Sequence, residues 1–238
     1  LYQRVRNQSG REAHNCAMIE QLNFSEFRAL LTSGLSQPLP GQAAQFQMAP
    51  LARKQPEMAS VHSKKCREAA VLALFYPCSK GKAKLLLTLR PEAMTKHAGQ
   101  VAFPGGRREI GEELVETALR ETEEEVFVPR NSIEVLAPLT PLYIPPTNFC
   151  VYPFVGMVEE RPDMTRVSDE VAVMFGVRAH ELVLPEKREV FTQELAGQIR
   201  EIPFFAFSGY QIWGATAMMM SELAAVINPG LLDLDPIV

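Results

Sequence analysis

The sequence predicts an α/β fold, a sandwich of helices on a mixed β-sheet. Short apolar runs of strand length recur along the chain between residues 69 and 207. A helix-forming segment rich in glutamate, at 107–126, interrupts these runs, and an apolar segment of helical character follows them at 210–226. Strands interleaved with two helices make a layered α/β architecture the natural arrangement.

The predicted strands follow one another in chain order. The run at 69–76 is continuously apolar, and a turn at 77–81 separates it from the next strand. The segment at 170–177 is ambiguous between strand and helix, and its valines favour a strand. The predicted strands are 69–76, 85–89, 100–106, 133–139, 149–158 with an interruption at Pro153, 170–177, and a hairpin of 189–195 with 199–207.

Four segments make up the predicted domain organisation. Residues 1–22 are expected to be a flexible leader, since the first part is polar and contains no apolar region of a secretory signal. Residues 23–66 are expected to form a short amphipathic helix at 23–31 and then a loop that wraps the domain, because no periodicity follows the helix. A globular domain at 67–228 and a C-terminal tail at 229–238 complete the chain.

The composition describes an ordinary globular protein. Of the 238 residues, 47% are hydrophobic, which suits one large domain with a sizeable core. No apolar run approaches the roughly 20 residues of a membrane span, and the pI of 5.7 argues against general nucleic-acid binding. Because Cys16, Cys66, Cys78 and Cys150 show no close spacing, we expect free thiols rather than a zinc site or disulfides. Free thiols favour the cytoplasm or an organelle matrix, such as that of a mitochondrion or peroxisome in a eukaryote.

The acidity of the chain is concentrated in one helix. The segment from Arg107 to Glu125 contains eight glutamates and three arginines, a net charge of −5, whereas the whole chain carries −4. Glu121, Glu124 and Glu125 fall together on one side of the predicted helix. Apolar or small residues recur at three- and four-residue intervals and predict the buried side, namely Val115, Ala118, Leu119, Thr122 and Val126.

Clustered carboxylates favour a bound cation. Each like-charge pair destabilises a helix by about 0.2–0.5 kcal/mol, and a hard divalent cation such as Mg²⁺ removes that repulsion through oxygen ligands. The glycine pair Gly105 and Gly106 lets the backbone approach a ligand closely. The alternative on charge alone is a solvated acidic helix face.

The spacing of these residues resembles the Nudix box, Gly-x5-Glu-x7-Arg-Glu-x-x-Glu-Glu. The matching positions are Gly106, Glu112, Arg120, Glu121, Glu124 and Glu125. One departure is Phe127, which stands where the box has glycine. Because Phe is unfavourable by about 1–2 kcal/mol in a left-handed helix cap, we expect the helix to end differently, aided by Pro129, with the carboxylates unaffected. The resemblance implies a Nudix-type α/β/α sandwich with a mixed β-sheet and a Nudix hydrolase domain at 67–228.

The same resemblance implies a metal site. Glu121, Glu124 and Glu125 would hold Mg²⁺ or Mn²⁺ together with the carbonyl oxygen of Gly106. Glu121 would accept a proton from the attacking water as general base, and Glu109, in the preceding loop, is the alternative.

The remaining box residues would have supporting roles. Arg120 would pair with the clustered glutamates and fix their rotamers. Glu112 would open the helix and satisfy its free backbone N–H groups. Gly105 would form the bend with its neighbouring glycine.

Residues 86–106, LLTLRPEAMTKHAGQVAFPGG, resemble the signature that precedes the box in the coenzyme A diphosphatase branch of the superfamily, LLTxRS…R…GxxxFPGG. Pro91 replaces the serine, and Thr95 replaces the basic residue, with Lys96 beside it. This resemblance implies hydrolysis of the pyrophosphate bond of coenzyme A or acyl-CoA, which yields adenosine 3′,5′-bisphosphate and (acyl-)4′-phosphopantetheine. Arg90 and Lys96 are the expected contacts for the substrate phosphates, although a surface Arg or Lys is commonly just solvated.

Two other functions stay open at this point. The domain would hydrolyse another nucleoside diphosphate derivative, such as ADP-ribose or NADH, or it would be a catalytically silent domain that binds a nucleotide. The expected partner is a small-molecule substrate, coenzyme A or a related nucleotide, with no nucleic acid and no membrane. Formation of a homodimer is also left open.

Overall fold

The computed structural model describes residues 15–50, 61, 64–92, 99–195, 197–234 and 237. Its centre is an 11-residue strand, β1 (Arg67–Pro77). Because side chains alternate along a strand, β1 contributes to two separate cores. One core contains Ala70, Leu72, Leu74 and Tyr76, and the other contains Ala69, Ala73 and Phe75. Burial on both faces explains why this strand is a continuous apolar run in the sequence.

Seven further strands join β1 in an eight-stranded sheet. They are β2 (Ala83–Leu89), β3 (Val101–Ala102), β4 (Gly105–Arg107), β5 (Glu134–Pro138), β6 (Leu142–Ile144), β7 (Phe149–Met157) and β8 (Val173–Arg178). The strand order is β3-β2-β1-β7-β5, with β4 beside β1, β6 beside β7 and β8 beside β2. β1 and β7 are parallel, whereas β2 and β4 run antiparallel to β1, so the predicted mixed sheet is confirmed.

Helices cover both faces of this sheet. They are α1 (Phe24–Leu35), α2 (Gly41–Gln45), α3 (Leu114–Val126) and α4 (Gly214–Ile227). Ala118 and Val126 of α3 pack in the core on one face, while Phe27 of α1 and Met218 of α4 pack in the core on the other. The result is the predicted α/β/α sandwich. None of the helices in the described part of the chain combines the length and apolar character needed to cross a bilayer.

A second, three-stranded sheet contains β9 (Arg188–Leu195), β10 (Gln198–Phe207) and β11 (Tyr210–Trp213). The predicted hairpin corresponds to β9 and β10. Strand β11 was expected to be the start of the last helix, and that prediction is wrong. Ser208 and Gly209 both have positive φ and form a two-residue hairpin turn, which pairs Tyr210 with Phe207 in a new strand.

The segments outside the predicted domain are more ordered than expected. Residues 15–21 of the predicted leader are helical, and Cys16 and Ile19 are buried in the core. The predicted wrapping loop includes the end of α1 and all of α2, and Met48 beyond it is buried. The predicted tail contains a 3₁₀ turn (Pro229–Asp233) that buries Leu231. Residues 1–14 of the leader lie outside the described part of the chain.

Two local predictions are also wrong. Strand β7 continues through Pro153, whose carbonyl still accepts a hydrogen bond from the Leu139 N–H at 2.8 Å. Cys66 and Cys150 form a disulfide although 84 residues separate them. The parallel pairing of β1 with β7 brings these distant positions to a Cα separation of 5.7 Å. Spacing in the sequence cannot show such a contact, so the prediction of free thiols is wrong for Cys66 and Cys150.

Helix α3 ends in a left-handed residue despite the phenylalanine. Phe127 has φ 54° and ψ 31°, and its N–H donates to the carbonyl of Glu123. The prediction that this helix would end differently is therefore wrong. The Phe127 ring lies 4.9 Å from the guanidinium of Arg166, a cation–π contact that offsets part of the unfavourable backbone conformation.

We predict that Phe127→Gly is more stable than Phe127→Ala by about 1 kcal/mol. Both variants lose the ring, so the difference isolates the penalty of a Cβ atom at positive φ. For a chain of this length, that difference corresponds to a shift in melting temperature of roughly 2–4 °C, measurable by scanning calorimetry. Equal stability of the two variants would contradict the left-handed cap.

Candidate active site

Two glycines bring the loop before α3 against the sheet. Gly105 and Gly106 of β4 pair with Val71 and Ala70 of β1. A Cβ atom on Gly105 would overlap the backbone of β1, and a Cβ atom on Gly106 would overlap the carboxylate of Glu121. The contact between this loop and the acidic helix therefore requires residues without side chains.

The glutamates on α3 lie in different environments. The Glu125 side chain is 6% exposed, that of Glu121 is 17% exposed and that of Glu124 is 58% exposed. Burial raises the pKa of Glu125 to about 7, although the Gly105 N–H donates to its carboxylate at 3.1 Å. Burial also raises the pKa of Glu121. The sequence places these three carboxylates on one side of the helix but does not show that one of them is in the interior.

Arg120 joins the acidic side chains. Its guanidinium donates to both carboxylate oxygens of Glu112, at 2.8 and 3.1 Å, and to Glu121 at 2.8 Å. It also contacts Glu124 at 3.1 Å and the carbonyl of Arg107 at 3.2 Å. Only 15% of the Arg120 side chain is exposed, so its charge-assisted hydrogen bonds to Glu112 and Glu121 are partly shielded from water and fix the rotamers of these glutamates.

The Glu112 carboxylate binds Arg120 and does not cap the start of α3. The N-cap residue of α3 is Glu113, so the predicted capping role of Glu112 is wrong. Its carboxylate accepts hydrogen bonds from the Thr117 hydroxyl at 2.7 Å and from the Glu109 N–H at 3.1 Å. Arg120 is the main cause of the lowered Glu112 pKa, which is about 2.

The substrate-binding residues expected from the sequence lie at different distances from this cluster. Arg90, at the end of β2, is 3.9 Å from Glu125 and 3.7 Å from Glu170, so it belongs to the acidic network. Lys96 lies outside the described residues. Glu109 is exposed in the loop before α3 and joins the cluster through its backbone bond to Glu112.

Residues beyond the sequence motif also reach the site. Glu170, from the loop before β8, meets Arg90 at 3.7 Å. Glu68 of β1 accepts a hydrogen bond from Arg108 at 2.7 Å. The sequence carried one signal for Glu68, since it lies two residues before Ala70 and alternation puts both on one face. The sequence could not place Glu170 near Arg90, because its position depends on the pairing of β8 with β2, which is a tertiary contact.

The oxygen-rich donor set suits a hard divalent cation. Carboxylates and backbone carbonyls are ligands of Mg²⁺ and similar ions. The raised pKa values of Glu121 and Glu125 mean that burial makes the ionised form of each carboxyl group less favourable. A neighbouring cation would stabilise that form. Within the described part of the chain, no three acidic, histidine or cysteine side chains converge as a preformed metal cage. Glu121 and Glu124 share bonds to Arg120 instead.

The fold and the site together define a Nudix-type protein, an α/β/α sandwich whose acidic helix lies behind a glycine loop. Residues 67–196, more than half of the chain, match the NUDIX domain family. The chain belongs to the Nudix family and is a Nudix hydrolase, a pyrophosphohydrolase acting on a nucleoside diphosphate derivative. Nudix enzymes generally use divalent metal ions.

Similar proteins carry the same family name. The Nudix hydrolase NudL of Yersinia enterocolitica is 37% identical over 145 residues, which are 60% of this chain and 74% of that protein. NudL of Photorhabdus laumondii is 37% identical over 163 residues, which are 68% of this chain and 86% of that protein. The crystal structure of the MutT protein from Methanosarcina mazei aligns with a TM-score of 0.43 at 17% identity, over 67% of this chain and 93% of that one.

We predict that Arg120→Gln lowers the free energy of unfolding of the metal-free protein by about 2–4 kcal/mol at pH 7, because it leaves the Glu112 carboxylate without its main partner. The Glu112 pKa is about 2, below its usual 4.5, so its interaction with Arg120 stabilises the fold above about pH 4.5. That contribution is lost as the pH falls towards 2. The difference between wild type and variant should therefore shrink between pH 5 and pH 3, as measured by urea unfolding in EDTA.

Arg130→Gln is the matched control. Arg130 contacts Glu123 at 2.8 Å at the other end of α3, but its side chain is 45% exposed, so we expect a much smaller loss of stability than in Arg120→Gln. An equal loss in both variants would contradict the buried network.

Proposed function

We propose that this chain is a coenzyme A diphosphatase. The observation that carries the hydrolase part of the proposal is the contact of two carboxylates with the glycine loop, the buried Glu125 and the half-buried Glu121. The coenzyme A part rests on the resemblance of residues 86–106 to the signature of that branch. The substrates would be coenzyme A and acyl-CoA, and the products would be adenosine 3′,5′-bisphosphate and 4′-phosphopantetheine or its acyl form.

The glutamates of α3 would hold the divalent ion, Mg²⁺ or Mn²⁺, with the carbonyl oxygen of Gly106. When bound, such an ion supplies positive charge that offsets the charge of the diphosphate and favours ionisation of water. Arg120 would position Glu121 and Glu124, since it bonds to both. Gly105 would position Glu125, to which its N–H donates at 3.1 Å.

Glu121 would be the general base. Burial raises its pKa, and a carboxylate whose pKa is raised towards the working pH is a better proton acceptor. Its carboxylate lies against the backbone of Gly106 and so is fixed at the edge of the loop. Glu109 is the alternative base, because it is exposed in the loop before α3.

A second candidate function is hydrolysis of another nucleoside diphosphate derivative, such as ADP-ribose or NADH. Two departures from the coenzyme A signature, Pro91 and Thr95, favour this alternative. A catalytically silent domain is disfavoured because the acidic residues of the box are all present.

We predict that Glu124→Gln lowers kcat by at least about 100-fold and leaves the melting temperature nearly unchanged. Glu124 is the most exposed of the proposed metal ligands, so neutralising it removes a ligand without opening the core. The matched control is Glu123→Gln, one residue away, where the carboxylate contacts Arg130 instead of the cluster. Activity near wild type in Glu124→Gln would reject the proposed metal site.

A substrate panel tests the specificity. Purified protein with Mg²⁺ is incubated with coenzyme A, ADP-ribose, NADH and a diadenosine polyphosphate, and products are separated by chromatography. We expect the highest kcat/KM for coenzyme A. Equal or better turnover of ADP-ribose would remove the coenzyme A proposal while leaving the hydrolase in place.

A further inference from the structure

Three side chains outside the acidic helix lie beside the glycine loop, namely those of Glu68, Arg108 and Tyr152. Ala70 of β1 pairs with Tyr152 of β7 on one side and with Gly106 of β4 on the other. Residues paired across a sheet project to the same face. This face is the one covered by α3, because Ala70 belongs to the same core as Ala118. Tyr152 therefore shares a row with the glycine that contacts Glu121.

Glu68 and Arg108 form the next row on this face. Glu68 precedes Ala70 by two residues, so its side chain projects to the same side about 7 Å further along the strand. The N–H of Arg108 donates to the carbonyl of Glu68 at 3.0 Å, which extends the β1–β4 ladder by one residue. The register therefore places Arg108 two residues from Gly106, whose carbonyl is a proposed metal ligand.

Arg108 is held from two sides. Its Nη1 donates to Glu68 at 2.7 Å, and its Nε donates to the backbone carbonyl of Glu112 at 2.5 Å. Tyr152 flanks this pair, and partial burial together with the charge of Glu68 raises the pKa of Tyr152. A guanidinium fixed in this way loses little conformational freedom when it binds an anion.

Arg108 and Arg120 differ in how many of their N–H groups remain free to bind a ligand. Arg120 is 15% exposed and bonds to three carboxylates and a carbonyl. Arg108 bonds to one carboxylate and one carbonyl, and 31% of its side chain is exposed. A guanidinium has five N–H groups in a planar fork that matches a phosphate. Arg108 can thus accept a further anionic partner without breaking its anchors.

We propose that Arg108, anchored by Glu68 and flanked by Tyr152, binds the phosphoryl group of the substrate diphosphate that the acidic helix does not hold. The inference rests on the proposed function, because it takes the ligand to be a diphosphate. A diphosphate carries charge on both phosphoryl groups, and an acidic cluster repels the one that no cation covers. Arg108 supplies positive charge at that position and discriminates diphosphates from monophosphates.

The test compares Arg108→Gln and Arg108→Lys with Arg130→Gln. Arg130 is a matched control, since it also contacts one glutamate at the protein surface, away from the glycine loop. Steady-state kinetics with coenzyme A should show KM raised about 10- to 100-fold in Arg108→Gln, with kcat changed much less. Lysine should restore part of the affinity, because it keeps the charge but not the fork. Arg130→Gln should match wild type.

A second measurement is independent of hydrolysis. Calorimetric binding of ADP and of AMP, each in Mg²⁺, should show ADP weakened about 10-fold or more in Arg108→Gln and AMP nearly unchanged. If the wild type cleaves nothing in the substrate panel but ADP binding still depends on Arg108, the proposed function fails and the phosphate contact stands. Unchanged ADP affinity and unchanged KM in Arg108→Gln, or no ADP binding by the wild type, would overturn the contact.

Discussion

The arrangement of the site depends on one arginine that keeps like charges together. Glu112, Glu121 and Glu124 would repel one another if they approached without a cation, and Arg120 bonds to all three. The bonds to Glu112 and Glu121 are partly shielded from water, so they are stronger than surface ion pairs, and loss of one partner leaves a charge uncompensated. The carboxylates are thus held in fixed positions before any ligand is present.

The central strand β1 is the second feature that fixes the geometry of the site. Gly105 and Gly106 pair with β1 through backbone hydrogen bonds. The absence of a side chain at Gly106 lets Glu121 approach the loop, and the Gly105 N–H donates to Glu125. Any residue larger than glycine at position 106 would displace the Glu121 carboxylate. The geometry of the site therefore follows from strand register and from two positions where only glycine fits, more than from the propensities of the acidic helix.

Most of the architecture could be predicted from the sequence because its signals are local. The apolar run of β1, the hairpin of β9 with β10 and the periodicity of α3 each reflect alternation or helical spacing within one segment. Several of the errors share a different cause. The left-handed cap at Phe127, the disulfide of Cys66 with Cys150 and the buried residues before α1 all depend on contacts with distant parts of the chain.

The residues of the candidate site also fall into two groups, those predictable from local spacing and those that depend on tertiary contacts. The spacing of glutamates along one helix identified its acidic residues, since i, i+3 and i+4 positions are neighbours on any helix. The sequence could not show that Glu125 is buried, that Arg90 contacts Glu125 and Glu170, or that Arg108 lies in a row with Glu68. Glu112 connects the two parts, because its carboxylate binds Arg120 and its backbone carbonyl binds Arg108. One residue therefore sets the distance between the glutamates that would hold a cation and the guanidinium proposed to hold phosphate. If both proposals hold, the spacing of the box constrains substrate geometry as well as metal binding.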